Sequence, residues 1–410
     1  MNVQKRQLSW KARRSDVMKD VIKGNMATAL GAKLSRAEVI PAYPITPSTL
    51  FPEKISEYIA CGEMDAQFIL VESEHSAMSA CIGASATGAR TCTSTASQGL
   101  ALMHEMLYIA AGMRLPIVVA VGNRALSAPI NIWCDHQDSI SERDTGWMQF
   151  YAEKNQEALD LMIMAFRIGE DKRVLLPAMV GLDAFVLTHT MEAVDIPDQE
   201  DVDRFLPPYT PLFGVLDPER PMTFGSFGTP DYYMEFKYTQ TKALEDSADV
   251  IDEVFEEFKK TFGREYKKIK TYKTEDADII LVTLGSMSGT ARAAVDKMRE
   301  KGKKVGAAKM TVFRPFPTME LMEMSKNTKV LAVVDRDISP GFGGAVFGEA
   351  AAMYVNETEK PIIMNFIVGL GGRDITISDF EDMVAKAEKA QETGAPEKLV
   401  EWINLKEENL

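Results

Sequence analysis

From Gly24 to about Asp195, short apolar runs alternate with small-residue or amphipathic segments. No other feature of the chain constrains its fold as tightly. Strands alternating with segments of helical length give a parallel sheet covered by helices. The runs Ala37–Ala42, Phe68–Val71, Thr91–Thr95, Ile117–Gly122 and Val174–Val180 read as strands, and Gly99–Gly112 and Asn155–Ile168 as helices. Residues 200–240 then change character. Leu206-Pro207-Pro208-Tyr209, Pro211, Pro218, Pro221 and Pro230 interleave with glycines, yet anchors such as Tyr232, Tyr233 and Phe236 point to an irregular, ordered connection. Lys242–Lys268 reads as a charged amphipathic helix with a solvated face. A second α/β unit starts near Asp276, with strands at Ile279–Thr283, Val305–Met310, Val330–Val334 and Ile362–Ile367 and a helix at Thr290–Lys301. At 410 residues the chain exceeds one ordinary core. The expected division is an extension over 1–25, a first domain over 26–200, a connection over 201–275 and a second domain over 276–405.

The formal charge is −14, from 46 basic against 60 acidic residues, which argues against nucleic acid or an anionic membrane as partner. No apolar run is long enough for a transmembrane helix. Cys61, Cys81, Cys92 and Cys134 lie among apolar or small residues without CxxC spacing, as reduced core cysteines of a cytoplasmic protein would. That spacing also leaves no iron–sulfur ligand set in this chain. The basic segment 1–25 lacks the apolar core of a secretory signal and reads as an arm on a neighbouring subunit.

In α/β sheets the loops that leave strand C-termini carry the chemistry. Thr46, Glu74, Ser97 and Arg124 all follow predicted strands and can converge at one edge. Thr46 lies in Tyr43-Pro44-Ile45-Thr46-Pro47, where two prolines stiffen the backbone. It reads as a held hydroxyl donor, a helix cap or both at once. Glu74 stands among Ser73, Ser76, Ala77, Ser79, Ala80 and Gly83, too small-sided a run for a solvated face. From composition alone it could be a helix N-terminal acid, and Glu72 competes with it. Arg124 offers a planar fork of donors for a carboxylate, or an ion pair with Asp135 or Asp138. Asp135-His136-Gln137-Asp138 is a weak metal signal because it holds one histidine. His75 and His104 read as core or interface residues, and His189 carries no motif. Gly341-Phe342-Gly343-Gly344 and Gly369-Leu370-Gly371-Gly372 complete no phosphate-loop pattern and read first as tight turns.

Four segments, Ala42–Thr49, Val71–Ala77, Thr95–Leu100 and Cys134–Asp138, closely resemble the α subunit of the multi-subunit 2-oxoacid:ferredoxin oxidoreductases, most of all the pyruvate type. The likeness runs over roughly residues 24–400. It implies an α/β fold: a thiamin-diphosphate-binding, pyrimidine-type parallel-sheet domain, then a smaller transketolase C-terminal-like domain. Glu74 is then the acid on the aminopyrimidine, Ser97 a cofactor contact, and Thr46 and Arg124 the groups that orient the substrate carboxylate. The Gly-Asp-Gly…Asn-Asn pattern that holds Mg²⁺ and the diphosphate is missing, so the resemblance places both on a separate β subunit. It also implies 4Fe-4S iron–sulfur clusters on γ and δ or fused subunits, coenzyme A as co-substrate and ferredoxin as acceptor. Direct contact of the glycine loops with diphosphate or coenzyme A is the lesser reading. Thr46 agrees with pyruvate, since an oxalate-type site would carry a second cation there. Branched-chain, phenylglyoxylate, 2-oxoglutarate and oxalate substrates stay open. So do a non-catalytic assembly subunit and a self-sufficient nicotinamide or acyl-CoA enzyme.

Overall fold

A computed structural model describes residues 18–212 and 216–409. Along the first half run β1 (Met18–Lys23), β2 (Val39–Ala42), β3 (Gln67–Leu70), β4 (Cys92–Thr95) and β5 (Val118–Asn123). They are followed by β6 (Met148–Tyr151), β7 (Ala178–Asp183) and β8 (Met191–Ile196). The second half holds β9 (Ile269–Tyr272), β10 (Ile279–Leu284), β11 (Val305–Met310) and β12 (Val312–Arg314). It closes with β13 (Val330–Asp335), β14 (Ile362–Ile367) and β15 (Val400–Trp402).

Two parallel-sheet units result. In the first, the order is β12-β6-β7-β5-β4, and the parallel pair β2–β3 adjoins β4 through a bridge from Val39 to Thr91. The second sheet runs β15-β14-β13-β10-β11-β9, with only β9 antiparallel. The units are stitched together by backbone, because β12 leaves the second unit to pair antiparallel with β6 of the first. Side chains add to the seam. Helix Asn155–Gly169 is apolar nearly all round and buried, as a helix covered on every side must be. Its two buried acids are both paired: Glu157 with Lys309 of β11, and Asp160 with Arg264 Nε at 2.6 Å and Tyr266 Oη at 2.6 Å.

Several expected boundaries move. The strand expected over Val174–Val180 starts at Ala178, because Leu175 turns at φ +44° before the backbone extends, and it runs on to Asp183. The helix expected over Gly99–Gly112 is two, Ser97–Leu102 and His104–Gly112. The charged helix is Tyr233–Phe262, earlier than expected at both ends, and stops where Gly263 turns left-handed at φ +73°. Met287–Glu300 replaces Thr290–Lys301. Cys61 is exposed at the end of helix Leu50–Ala60, so only Cys81, Cys92 and Cys134 are core cysteines. The expected N-terminal arm falls on residues outside the described ones up to residue 17; Met18–Lys23, its end, pairs antiparallel with β8.

Candidate active site

Glu74 opens helix Glu74–Ala86, whose N-cap Ser73 accepts from the Ser76 N–H at 3.1 Å. Its side chain turns inward and is only 6 % exposed. The reason lies on the facing turn. A Cβ at Gly99 would stand 2.5 Å from Glu74 Oε1 and 2.6 Å from Thr95 Oγ1, so only glycine admits the carboxyl there. Among the described residues nothing hydrogen-bonds the Glu74 carboxyl. Thr95 Oγ1 and Gln98 Nε2, on the same turn, are also buried without a partner. Unsatisfied buried polar groups of this kind are costly unless something outside the chain meets them. Glu72 behaves differently. It is exposed and accepts from Ser76 Oγ at 2.8 Å, a bond that lowers its pKa.

Ser97 begins the turn at φ +48° and is fully buried. Its hydroxyl lies 2.5 Å from the Ala125 carbonyl and 2.6 Å from Gln98 Oε1, and its N–H donates to Asp138 Oδ2 at 2.9 Å. The hydroxyl is therefore engaged inside the protein and shapes the turn. A non-glycine residue in the left-handed region costs of order 1–3 kcal/mol and persists where surroundings over-determine it.

Asp138 does that over-determining. Its carboxylate accepts from the N–H of Ser97 at 2.9 Å, of Arg124 at 3.0 Å and of Ser139 at 2.7 Å, and from Asn123 Nδ2 at 2.9 Å. Burial pushes its pKa up to about 6 against the pull of those donors. One acid thus ties the end of β4 to the end of β5.

Arg124 follows β5, and its guanidinium meets carbonyls: Nη1 donates to Thr46 at 2.8 Å and Nε to Asn131 at 3.0 Å. Among the described residues no carboxylate pairs with it, which removes the expected ion-pair alternative. Burial makes its charge costlier, while Asp138 nearby works the other way. A buried guanidinium resting on two neutral acceptors keeps a full positive charge to offer. Thr46 stands directly against it. Thr46 is exposed; the helix cap is Thr49, without a side-chain bond. Ser48 Oγ donates to the Thr95 carbonyl at 2.8 Å and Asn25 Nδ2 to the Pro47 carbonyl at 2.5 Å, so the turn is pinned on both sides.

The remaining candidates are structural. His136 is fully buried against Asp183 at 2.8 Å. Burial opposes the Asp183 charge, yet His136, Arg336 and Ser286 together hold its pKa well below the ordinary range. Cys134, His136 and Asp183 lie close enough to hold a metal ion, but Arg336 Nη1 occupies Asp183 Oδ2 at 3.1 Å and already supplies the cation. A guanidinium against the same carboxylate repels a second cation there. His104 is half exposed and bonds Glu142 at 2.6 Å; His75 lies 3.8 Å from Glu105; His189 meets Thr188 Oγ1 at 2.8 Å and stacks on Phe185. The N-terminus of helix Ala345–Met353, after Gly344, is filled by Asp335 and Asp337, which accept from Ala345, Val346 and Phe347 N–H groups at 3.0–3.1 Å. No room is left there for a phosphate. Asp138, expected only as a possible counter-ion of Arg124, instead binds backbone N–H groups, while Asn131 and Asp183 leave no mark in the sequence because they act through Gly371, Ser286 and Arg336, far along the chain.

The site residues fit thiamin diphosphate on one count above all, a partnerless buried carboxyl beside partnerless buried donors. Comparison with known proteins agrees. Residues 30–256 match the family described as pyruvate flavodoxin/ferredoxin oxidoreductase, thiamine diphosphate-binding, and 277–380 match pyruvate:ferredoxin oxidoreductase core domain II. A pyruvate synthase subunit PorA of Pyrococcus abyssi is 61 % identical over 96 % of this chain and 100 % of its own length. A ketoisovalerate oxidoreductase subunit VorA of Pyrococcus horikoshii is 50 % identical over 95 % of this chain and 98 % of its own. Among solved structures, 2-oxoglutarate:ferredoxin oxidoreductase from Magnetococcus marinus shares the fold at TM-score 0.71 and 19 % identity, over 90 % of this chain and 65 % of that one. A split-gene transketolase shares it at TM-score 0.54 and 12 % identity, over 90 % of this chain and 97 % of that one. The fold, the partnerless acid and these matches lead to one conclusion: the chain belongs to the thiamin diphosphate-binding pyruvate flavodoxin/ferredoxin oxidoreductase family.

Proposed function

We propose that the protein is the α subunit of a pyruvate:ferredoxin oxidoreductase, converting pyruvate and coenzyme A to acetyl-CoA and CO₂ and delivering two electrons to ferredoxin. The observation that carries this reading is the buried Glu74 carboxyl without a partner, on the same strand edge as an Arg124 guanidinium without a counter-ion. Bound thiamin diphosphate supplies the nucleophilic carbon and the electron sink. Glu74 holds and returns the proton at N1′ of the aminopyrimidine. Arg124 binds the substrate carboxylate, and the Thr46 hydroxyl donates alongside it. Asp138 keeps the Ser97 turn and the Arg124 backbone in register, which matters because misplacement by about 1 Å can cost a hundredfold in rate.

The proposed partners are a β subunit carrying Mg²⁺ and the diphosphate loops, and γ and δ or fused subunits carrying iron–sulfur clusters. The missing Gly-Asp-Gly pattern and CxxC spacing support that division, as do relatives that are themselves subunits. Pyruvate is favoured because relatives named for it are 52 % to 61 % identical, against 50 % for those named for ketoisovalerate. Among the described residues no helix is long and apolar enough to cross a membrane. The test is anaerobic, coenzyme A-dependent viologen reduction by the natively purified complex with pyruvate, 2-oxoisovalerate, 2-oxoglutarate, phenylglyoxylate and oxalate side by side. Pyruvate is expected to give the highest kcat/KM; dominance of another acid overturns the substrate, and inactivity with all of them overturns the function.

A further inference from the structure

The Arg124 fork is held from across the boundary between the two units. Its Nε rests on the Asn131 carbonyl at 3.0 Å, and the Asn131 side chain is itself tied at both ends. Nδ2 donates to the Gly371 carbonyl at 3.0 Å, and Oδ1 accepts from the Trp133 N–H at 2.7 Å. Gly371 lies 240 positions further on, in the loop that follows β14 of the second unit. That loop is clamped onto the same segment twice more: the Gly371 N–H donates to Asp135 Oδ2 at 3.1 Å and the Gly372 N–H to the Cys134 carbonyl at 2.7 Å. The approach is too close for a side chain. A Cβ on Gly371, at φ +61°, would stand 2.5 Å from Asn131 Nδ2, and one on Gly372, at φ +83°, 2.3 Å from Trp133 Cβ. The glycines therefore serve to let the second unit press its backbone against residues 131–135.

We propose that Asn131 and Gly371 are positioning residues for the 2-oxoacid site, through which the second unit sets the angle of the Arg124 guanidinium. The proposal rests on the reading of Arg124 as the carboxylate ligand. A planar fork binds a carboxylate well only in one plane, and two carbonyls, of Thr46 and Asn131, fix that plane. Loosening the Asn131 carbonyl lets the fork rotate about its remaining tether. Binding of the oxoacid weakens, while the machinery around Glu74 is untouched.

The test uses the assembled complex and two readouts, KM for pyruvate and the inhibition constant of oxamate, a carboxylate isostere that is not decarboxylated. Asn131→Asp keeps the acceptor for Trp133 and turns the donor into a carboxylate facing the Gly371 carbonyl. Gly371→Ala breaks the same tie from the other unit. Both are expected to raise KM and the oxamate constant about tenfold, with kcat within about threefold and the KM for coenzyme A unchanged, as loss of ground-state binding does. Gly341→Ala, also at positive φ but with open space around it, leaves both readouts unchanged. Placed on Arg124→Ala, Asn131→Asp is expected to add less than about twofold, because its effect passes through the arginine. If Arg124→Ala itself leaves the oxamate constant unchanged, the underlying carboxylate reading fails. If Arg124→Ala weakens oxamate while Gly371→Ala and Asn131→Asp do not, or if Asn131→Asp keeps its full effect without the arginine, the positioning role fails alone. Should Asn131→Asp not assemble, Gly371→Ala decides.

Discussion

The two sheets present the same kind of edge and use it in opposite ways. At the C-terminal ends of β13 and β14, Asp335 accepts from the N–H groups of Val346 and Phe347 at 3.1 Å and from Asn365 Nδ2 at 2.8 Å. Burial and the neighbouring Asp337 push the Asp335 pKa well up, and the helix N-terminus after Gly344 is filled by the protein's own carboxylates. At the matching ends of β3 and β5, one acid and one base are buried with their charge-bearing atoms turned to no counter-ion, and donors on the turn after β4 go unmet. The first arrangement is closed and gives stability. The second is open, the arrangement expected where a ligand completes a site.

Breaking the open edge at its acid should give the largest effect. Glu74→Gln keeps the shape and removes the proton, so turnover of the assembled complex should fall by about 10²–10⁴, the range for a lost acid–base group, with subunit stoichiometry unchanged on gel filtration. Asp335→Ala attacks the closed edge and should do the reverse. Three donors lose their acceptor, which costs about 3 kcal/mol and shows as a lower unfolding midpoint, while the pyruvate KM of the folded enzyme holds. A KM shift there would erase the contrast between the edges.

Asp138 sharpens the comparison, because it is a closed element within the open edge. Its pKa of about 6 in the fold exceeds the roughly 3.9 of an unfolded aspartate. The native state therefore binds the extra proton. Its stability contribution is full below about pH 4 and is lost as pH rises through about 6. Asp138→Asn removes that titration, so the stability gap between wild type and variant, from chemical unfolding, should narrow by about 2–3 kcal/mol from pH 4 to pH 7. Arg124→Lys is the mildest change. It retains the charge and loses the fork, and the KM for pyruvate should rise about tenfold.

How much of this was legible depended on how local each signal is. The strand runs at Ile279–Thr283 and Val330–Val334 were readable because a fully buried parallel strand is close to apolar throughout. β6 and β12 were not. They are short edge-side strands whose pairing joins residues far apart in sequence. Glu74 was legible from its small-residue surroundings and its motif, although the glycine that makes room for it lies 25 positions on. Arg124 was legible as a cation; its carbonyl partners were not, since backbone acceptors leave no mark in a sequence. The glycine loop at 369–372 was legible as a tight turn, but its use as a spacer against Asn131 and Trp133 depends on a contact between units that no local pattern encodes.

The central claim is that Glu74 is the acid left unpartnered for the cofactor. It is tested most directly by the rate of C2-proton exchange of thiamin diphosphate bound in the assembled complex, measured by quenched-flow NMR in deuterium oxide for wild type and Glu74→Gln. A fall of at least about a hundredfold in the variant, with cofactor still bound, is the predicted result. An unchanged exchange rate would contradict it.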